Sequence, residues 1–243
     1  MRACQRKSRA PLPTLLPTLG GLAGNLDDVR FASLLATPGV VEHLELRSTF
    51  GFMAFHGGNL ERMTDEIAIV AAERSGASVY CVVQPYPLRE HLPSNQVRPE
   101  ESSKLQSFFD HVDHVIAIHG YGRDGMWKAM LVGGGHRELA STCATHLRSH
   151  LPEFEAIDDV DAIPTELRGL HHHNPVNRAR RGGVQLELPP RVRGLTPNTA
   201  TMPRVDGRIA WTNSLIEALV ETVRSFTATL ADETTPPSTG RVG

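Results

Sequence analysis

The chain has 243 residues, 40% of them hydrophobic and 21% charged, the composition of one sizeable globular domain with a buried core. Its formal charge of -2 gives no global argument for binding nucleic acid or a membrane surface, and no stretch approaches the ~20 apolar residues of a membrane span. Cys4, Cys81 and Cys143 are odd in number and lack C-x-x-C spacing, which argues against a disulfide framework or a cysteine zinc knuckle and suits a reducing cytoplasm.

In chain order, residues 1–24 read as a disordered extension: Pro11, Pro13 and Pro17 interrupt the apolar run that a signal peptide would need. The domain is expected over 25–231. A strand is expected around Val40–Leu46, and Gly51–Phe55 reads as a buried strand. Thr64 opens a helix through Ser75, with Ile67, Ala68, Ala71 and Ala72 on one face. Ser78–Val83 is a β-branched strand running into the Pro85-Tyr86-Pro87 breaker. Pro99–His111 reads as a helix, Val115–Ile118 as a strand ending in His119-Gly120, and Lys128–Val132 as a strand closed by three glycines. A helix follows from Glu138 to about His150, then an acidic connection, the strand Gly183–Leu188, and a last helix over Arg208–Leu230. The segment 232–243 reads as a mobile polar tail. Strands alternating with helices predict an α/β domain with helices covering a mixed, largely parallel sheet and a site at the C-terminal strand edges.

Two groups of residues carry candidate chemistry. In His56-Gly-Gly-Asn-Leu-Glu61, an imidazole and a carboxylate flank a glycine turn after a buried strand, and His119 ends another apolar strand. Two zinc-compatible ligands close in sequence and one from afar is the plan of a catalytic site with an open water position. On their own the same residues also fit a glycine turn kept for backbone geometry and a hydrogen-bonded structural histidine, the commoner role of a lone strand-end histidine. The second group is Asn174-Pro-Val-Asn-Arg178 with Arg180 and Arg181, followed by Gly183-Val-Gln-Leu-Glu-Leu188. Period-2 alternation sets Gln185 and Glu187 opposite Val184, Leu186 and Leu188, so Glu187 is either an acid on a half-exposed strand or, beside a metal, a general base. Arg178 offers a fork for a substrate carboxylate with Asn177 adjoining, and Arg123, Arg180 or Arg181 offer further cationic contacts. Between Glu166 and Arg193 six arginines face two glutamates, which fits either an anionic ligand or a solvated loop.

The ordered set H-G-G-x-L-E-x-x-T-x-E-I-A (His56 to Ala68), V-I-A-I-H-G (Val115 to Gly120), V-G-G (Val132 to Gly134), N-R (Asn177-Arg178) and G-V-Q-L-E-L (Gly183 to Leu188) resembles the poly-γ-glutamate hydrolase family. The resemblance runs from about Gly51 to Arg193. It implies a zinc carboxypeptidase-like α/β sandwich in which His56, Glu61 and His119 hold Zn2+, Asn177 and Arg178 clamp a carboxylate, and Glu187 is the catalytic carboxylate. The family pattern reads G-T-S-E-I-A where this chain has Met63-Thr-Asp65-Glu-Ile-Ala. The implied activity is metal-assisted hydrolysis of amide bonds in an anionic peptide or γ-glutamyl substrate. An N-acyl amino acid deacylase or amidase on the same scaffold, or a non-catalytic zinc-containing peptide-binding module, are the alternatives.

Other polar features read as ordinary. His171-His172-His173 precedes a proline loop, and His146 and His150 share a helix face without an evident carboxylate partner. The glycine triplet lacks the pattern of a phosphate loop, and neither Ser102 nor Ser141 sits in a nucleophile elbow.

Overall fold

The computed structural model describes residues 31–234. A seven-stranded sheet has the order β1-β3-β2-β4-β7-β5-β6, formed by β1 (Val41–Glu45), β2 (Phe50–Gly58), β3 (Ser78–Gln84), β4 (His114–Gly120), β5 (Ala129–Val132), β6 (Glu155–Ile157) and β7 (Gly183–Leu188). Strands β3, β2, β4 and β7 run parallel, while β1 and β5 pair antiparallel with β3 and β7. The expected fold class is the one observed, a mixed, largely parallel sheet with helices on both faces.

Alternation along each strand decides what each face covers. Phe52, Ala54, Ile116, Ile118, Val184 and Leu186 pack in one core with the helices α2 (Thr64–Ser75), α4 (Arg137–His150) and α5 (Ala210–Thr234). Met53, Phe55, Tyr80, Val115 and Ala117 face the other core, beneath α1 (Phe31–Leu35) and α3 (Ser103–His111). After β2 the chain crosses to β3 on one side, and after β3 it returns to β4 on the other. This reversal opens a crevice at the carboxyl ends of β2 and β4, where open α/β sheets bind ligands.

Several boundaries differ from the sequence expectations. Residues 99–101 form a 3-10 turn, because the Ser102 hydroxyl accepts from Leu105 N at 3.0 Å and caps α3 there. Residues 208–209 belong to a small hairpin of β8 (Arg204–Val205) and β9 (Arg208–Ile209), so α5 starts later than expected, and it extends through Thr234. The acidic connection contains β6, which pairs with β5. The expected extension over 1–24 and residues 235–243 of the expected tail lie outside the described residues, while 232–234 of that tail belong to α5. His146 and His150 do have a carboxylate partner: Glu221 of α5 lies 3.4 Å from His146 Nδ1 and 2.9 Å from His150 Nε2, tying α4 to α5.

Met63, at the N-cap of α2, holds φ 77, a left-handed conformation that costs a residue with a Cβ about 1–2 kcal/mol. Its side chain recovers part of that cost by packing against the helix-covered core. Met63→Gly is therefore expected to raise stability by up to about 1 kcal/mol, read as a higher urea midpoint at unchanged slope; a lower midpoint would show that the packing outweighs the strain.

At the opposite end of the sheet from the crevice, His114 is buried and its ring lies 5.2 Å from His136 and 5.1 Å from Phe226. Burial, then the neighbouring His136 and Arg181, push its imidazole down to about 4, with Asp113 opposing. The fold therefore holds His114 neutral, while the unfolded chain protonates it below ~6.5. Stability is complete above that pH and falls as the pH drops toward 4, by up to about 3 kcal/mol. Urea midpoints at pH 7.5 and pH 5 should diverge for the native chain and converge in His114→Asn; equal divergence in both would remove His114 as the cause.

Candidate active site

A β-bulge builds the first wall of the crevice. The register of β2 on β3 shifts between Ala54 and Gly57, an extra residue that breaks the alternation and re-aims the intervening side chains. The imidazole of His56 is 3% exposed and its Nε2 lies 2.8 Å from the Leu92 carbonyl oxygen. The chain then turns back: Glu61 N donates to His56 O at 2.8 Å, Asn59 N to Gln84 O at 2.8 Å and Gly58 N to Asp65 Oδ1 at 3.0 Å. Gly58 has φ +69, and a Cβ there would collide with the Gln84 carbonyl oxygen, so this turn requires glycine. The reversal brings Glu61 back against the histidine that began it.

Glu61 lies between the other two expected ligands, His56 and His119. One carboxylate oxygen lies 2.8 Å from His56 Nδ1, and the other accepts from Gly120 N at 2.8 Å and lies 3.6 Å from His119 Nδ1. The imidazole rings of His56 and His119 stand 5.1 Å apart. Burial alone would raise the Glu61 carboxyl, but the charge of His56 and hydrogen bonds from His119 and His56 outweigh it and hold the acid far below the usual carboxylate range.

The donor set fits a divalent metal. A carbonyl oxygen can only accept, so His56 Nε2 must donate to Leu92 O. In a neutral imidazole Nδ1 then presents a lone pair to an ionised carboxylate at 2.8 Å, and only a proton or a cation between the two makes that contact favourable. His119 Nε2 is buried without a hydrogen-bond partner among the described residues. Two imidazoles and one carboxylate, with an outer carbonyl fixing one ring, is a nitrogen and oxygen set suited to zinc. The structure adds a residue that the sequence reading did not single out: His91, whose ring is 4.8 Å from that of His56. One ligand atom each from His56, Glu61 and His91 lie within 4.8 Å of one another, and His119 is outside this group, with its Nδ1 3.6 Å from Glu61. His91 lies in the irregular stretch after β3, where no periodicity marks it.

Glu187 completes the constellation. Strands β4 and β7 pair in parallel with His119 opposite Glu187. The Glu187 side chain is buried, not half exposed, and lies on the same sheet face as Gln185. Gln185 Nε2 donates to Glu187 Oε1 at 2.8 Å and to Leu167 O at 3.2 Å, and Asn174 Nδ2 donates to Gln185 Oε1 at 2.7 Å. Burial pushes the Glu187 carboxyl up to about 7, with His119 pulling it down and Glu61 adding to the rise. His56, Glu61, His91, His119, His171 and Glu187 are among the residues lining one cleft of about 720 Å³.

Of the expected substrate contacts, none lines this cleft. Asn177 is occupied by backbone: it accepts from Gly135 N at 3.1 Å and donates to Gly169 O at 2.8 Å and His171 O at 3.1 Å, holding a loop that does line the cleft. Arg178 pairs with Glu100 at 2.6 Å beside a separate hollow of about 300 Å³. Arg123 pairs with Glu166, which lies on the cleft rim. Arg181 sits with Asp113 and His114 at the amino end of β4, because β7 runs parallel to β4 and the residues before it lie at the far edge from His119.

The sequence model of the poly-gamma-glutamate hydrolase family matches residues 35–207, which includes every residue of this constellation. The chain belongs to the poly-gamma-glutamate hydrolase family. Among solved structures, a bacteriophage poly-gamma-glutamate hydrolase is similar at 22% identity and a TM-score of 0.66, over 78% of this chain and 90% of that one. A zinc-free apo form of YNDL is similar at 19% identity and a TM-score of 0.59, over 77% and 90%. No curated protein matches the chain in sequence. At these identities the two structures share the fold with this member of the family. Among the described residues no helix is long and apolar enough to cross a membrane.

Proposed function

We propose that this member of the poly-gamma-glutamate hydrolase family hydrolyses amide bonds in carboxylate-rich substrates, γ-glutamyl linkages first among them, with zinc held by His56, Glu61 and His119. The observation that carries the reading is the register of Glu187 beside His119, which sets a buried carboxyl next to the donor set at the floor of the cleft. Zinc, when bound, supplies Lewis acidity that polarises a scissile carbonyl and acidifies water.

The remaining steps belong to side chains. Gln185 occupies Oε1 of Glu187, so Oε2 is the atom that takes the proton from the attacking water and returns it to the leaving amine. Leu92 O fixes the ring of His56, and Gly120 N fixes one oxygen of Glu61. Asn177 acts through the backbone of Gly169 and His171, positioning the wall against which substrate lies. An anionic chain meets histidines in the cleft, and Arg123 offers it a guanidinium at the rim on exchanging Glu166 for a substrate carboxylate. Arg178 and Arg181, off the cleft, act at most on outlying carboxylates of a long polymer.

The test is cleavage by the zinc-reconstituted full chain of γ-linked polyglutamate, α-linked polyglutamate and N-acyl amino acids. Scission of the γ-linked polymer alone is expected. Turnover confined to N-acyl amino acids would replace the substrate class, and stoichiometric zinc without turnover of any of the three would leave a binding module.

A further inference from the structure

Arg193 is a buried cation without a role in the chemistry above. It is 5% exposed, and it is presented by a turn after β7 that is anchored at Val192. Val192 is buried in the helix-covered core, and its carbonyl accepts from the Thr212 hydroxyl of α5 at 2.8 Å. The guanidinium lies against Gly120, where a Cβ would stand 2.6 Å from its central carbon. From there Nη1 donates to Arg62 O at 2.9 Å and Nη2 reaches Tyr121 O at 3.5 Å, while Nε has no partner among the described residues. Arg62 follows Glu61 in the chain, and Tyr121 lies two residues after His119. The fork thus grips the two segments that deliver the metal donors from β2 and from β4. The charges of Glu61 and Glu187 favour its ionised form against the cost of its burial.

We infer that Arg193 is the positioning residue of the metal centre: its guanidinium, seated against the side-chain-free Gly120, ties the Glu61 loop to the turn after His119 and so sets the spacing of the donor set before an ion arrives. The inference rests on the zinc reading of the site for its consequence, but the tie itself is made by protein atoms alone. Only a planar fork reaches both carbonyls, so lysine preserves the charge and loses the bridge. Gly120→Ala pushes the guanidinium off its seat without touching Arg193, and it should reproduce the effect.

The experiment follows amide hydrogen exchange and zinc release in the full chain for the native protein, Arg193→Lys, Arg193→Met and Gly120→Ala. In the metal-free proteins, exchange in 57–62 and in 119–122 should rise together in all three variants, with β1 and β3 unchanged. Zinc affinity should fall about 10–100-fold, the range for losing an outer-shell partner, and added methylguanidinium should restore part of it in Arg193→Met but not in Gly120→Ala. Exchange that rises throughout the sheet, in one segment only, or in neither overturns the inference, as does a lysine variant equal to the native chain. If the native chain binds no zinc, the functional reading fails while the exchange pattern still decides the role of Arg193.

Discussion

Glu187→Gln is expected to leave zinc content unchanged and to lower kcat by about 10²–10⁴-fold, the contribution of a positioned general acid-base group. The substitution is nearly isosteric, and its effect should be confined to proton transfer. Its amide oxygen can still accept from Gln185 Nε2, the bond that fixes the native Oε1 at 2.8 Å, so the side chain keeps its place in β7 opposite His119. What changes is the second position, where an amide nitrogen replaces the oxygen that takes and returns a proton. The amide also replaces a carboxyl whose ionised form burial disfavours, so stability should be maintained. Turnover that survives at the native rate would take Glu187 out of the mechanism. Zinc lost together with activity would instead make it part of the donor set.

The second large effect separates His119 from His91. Both lie near the His56 and Glu61 pair, but their settings differ. His119 is buried at the end of β4, 3.6 Å from Glu61, and Glu61 is itself fixed by the next residue's amide. His91 is exposed on an irregular loop, although its ring comes to 4.8 Å from His56. A strand-end donor is pre-positioned, whereas a loop donor must be ordered when the ion binds. His119→Ala should therefore weaken zinc binding by at least about 100-fold, beyond the loss of an outer-shell partner, while His91→Ala should cost less than about tenfold. Competition against a chromophoric chelator measures both. The reverse ranking would move the third ligand from β4 to the loop.

These two histidines also show what the amino-acid sequence discloses and what it conceals. His119 is legible because an apolar β-branched run delivers it to a strand end, and His56 with Glu61 because two glycines between them announce a reversal. His91 is hidden because nothing periodic surrounds it and its proximity to His56 arises only when the stretch after β3 folds over the crevice. Alternation sets Gln185 and Glu187 on one face of β7, but the burial of that face is a tertiary matter: Leu167 O and Asn174 of the loop over 165–174 hydrogen-bond Gln185, which donates to Glu187. Position along the chain alone makes Arg181 a candidate carboxylate partner. Parallel pairing of β7 with β4 carries it to the opposite edge. The turn at Met63 is a local departure of the other kind, in which the backbone keeps a left-handed geometry that the residue type does not favour. Helix limits moved where side chains cap: Ser102 starts α3 later than the periodicity suggests, and a hairpin ahead of α5 takes its first two residues.

The central claim, that this chain carries one zinc on the ligands that flank its glycine turn and end β4, is tested most directly by elemental analysis. The purified full chain, reconstituted with zinc and freed of excess ion, should hold one zinc per chain, and His56→Ala treated identically should hold none. A native chain without zinc, or a His56→Ala chain with as much as the native, would contradict it.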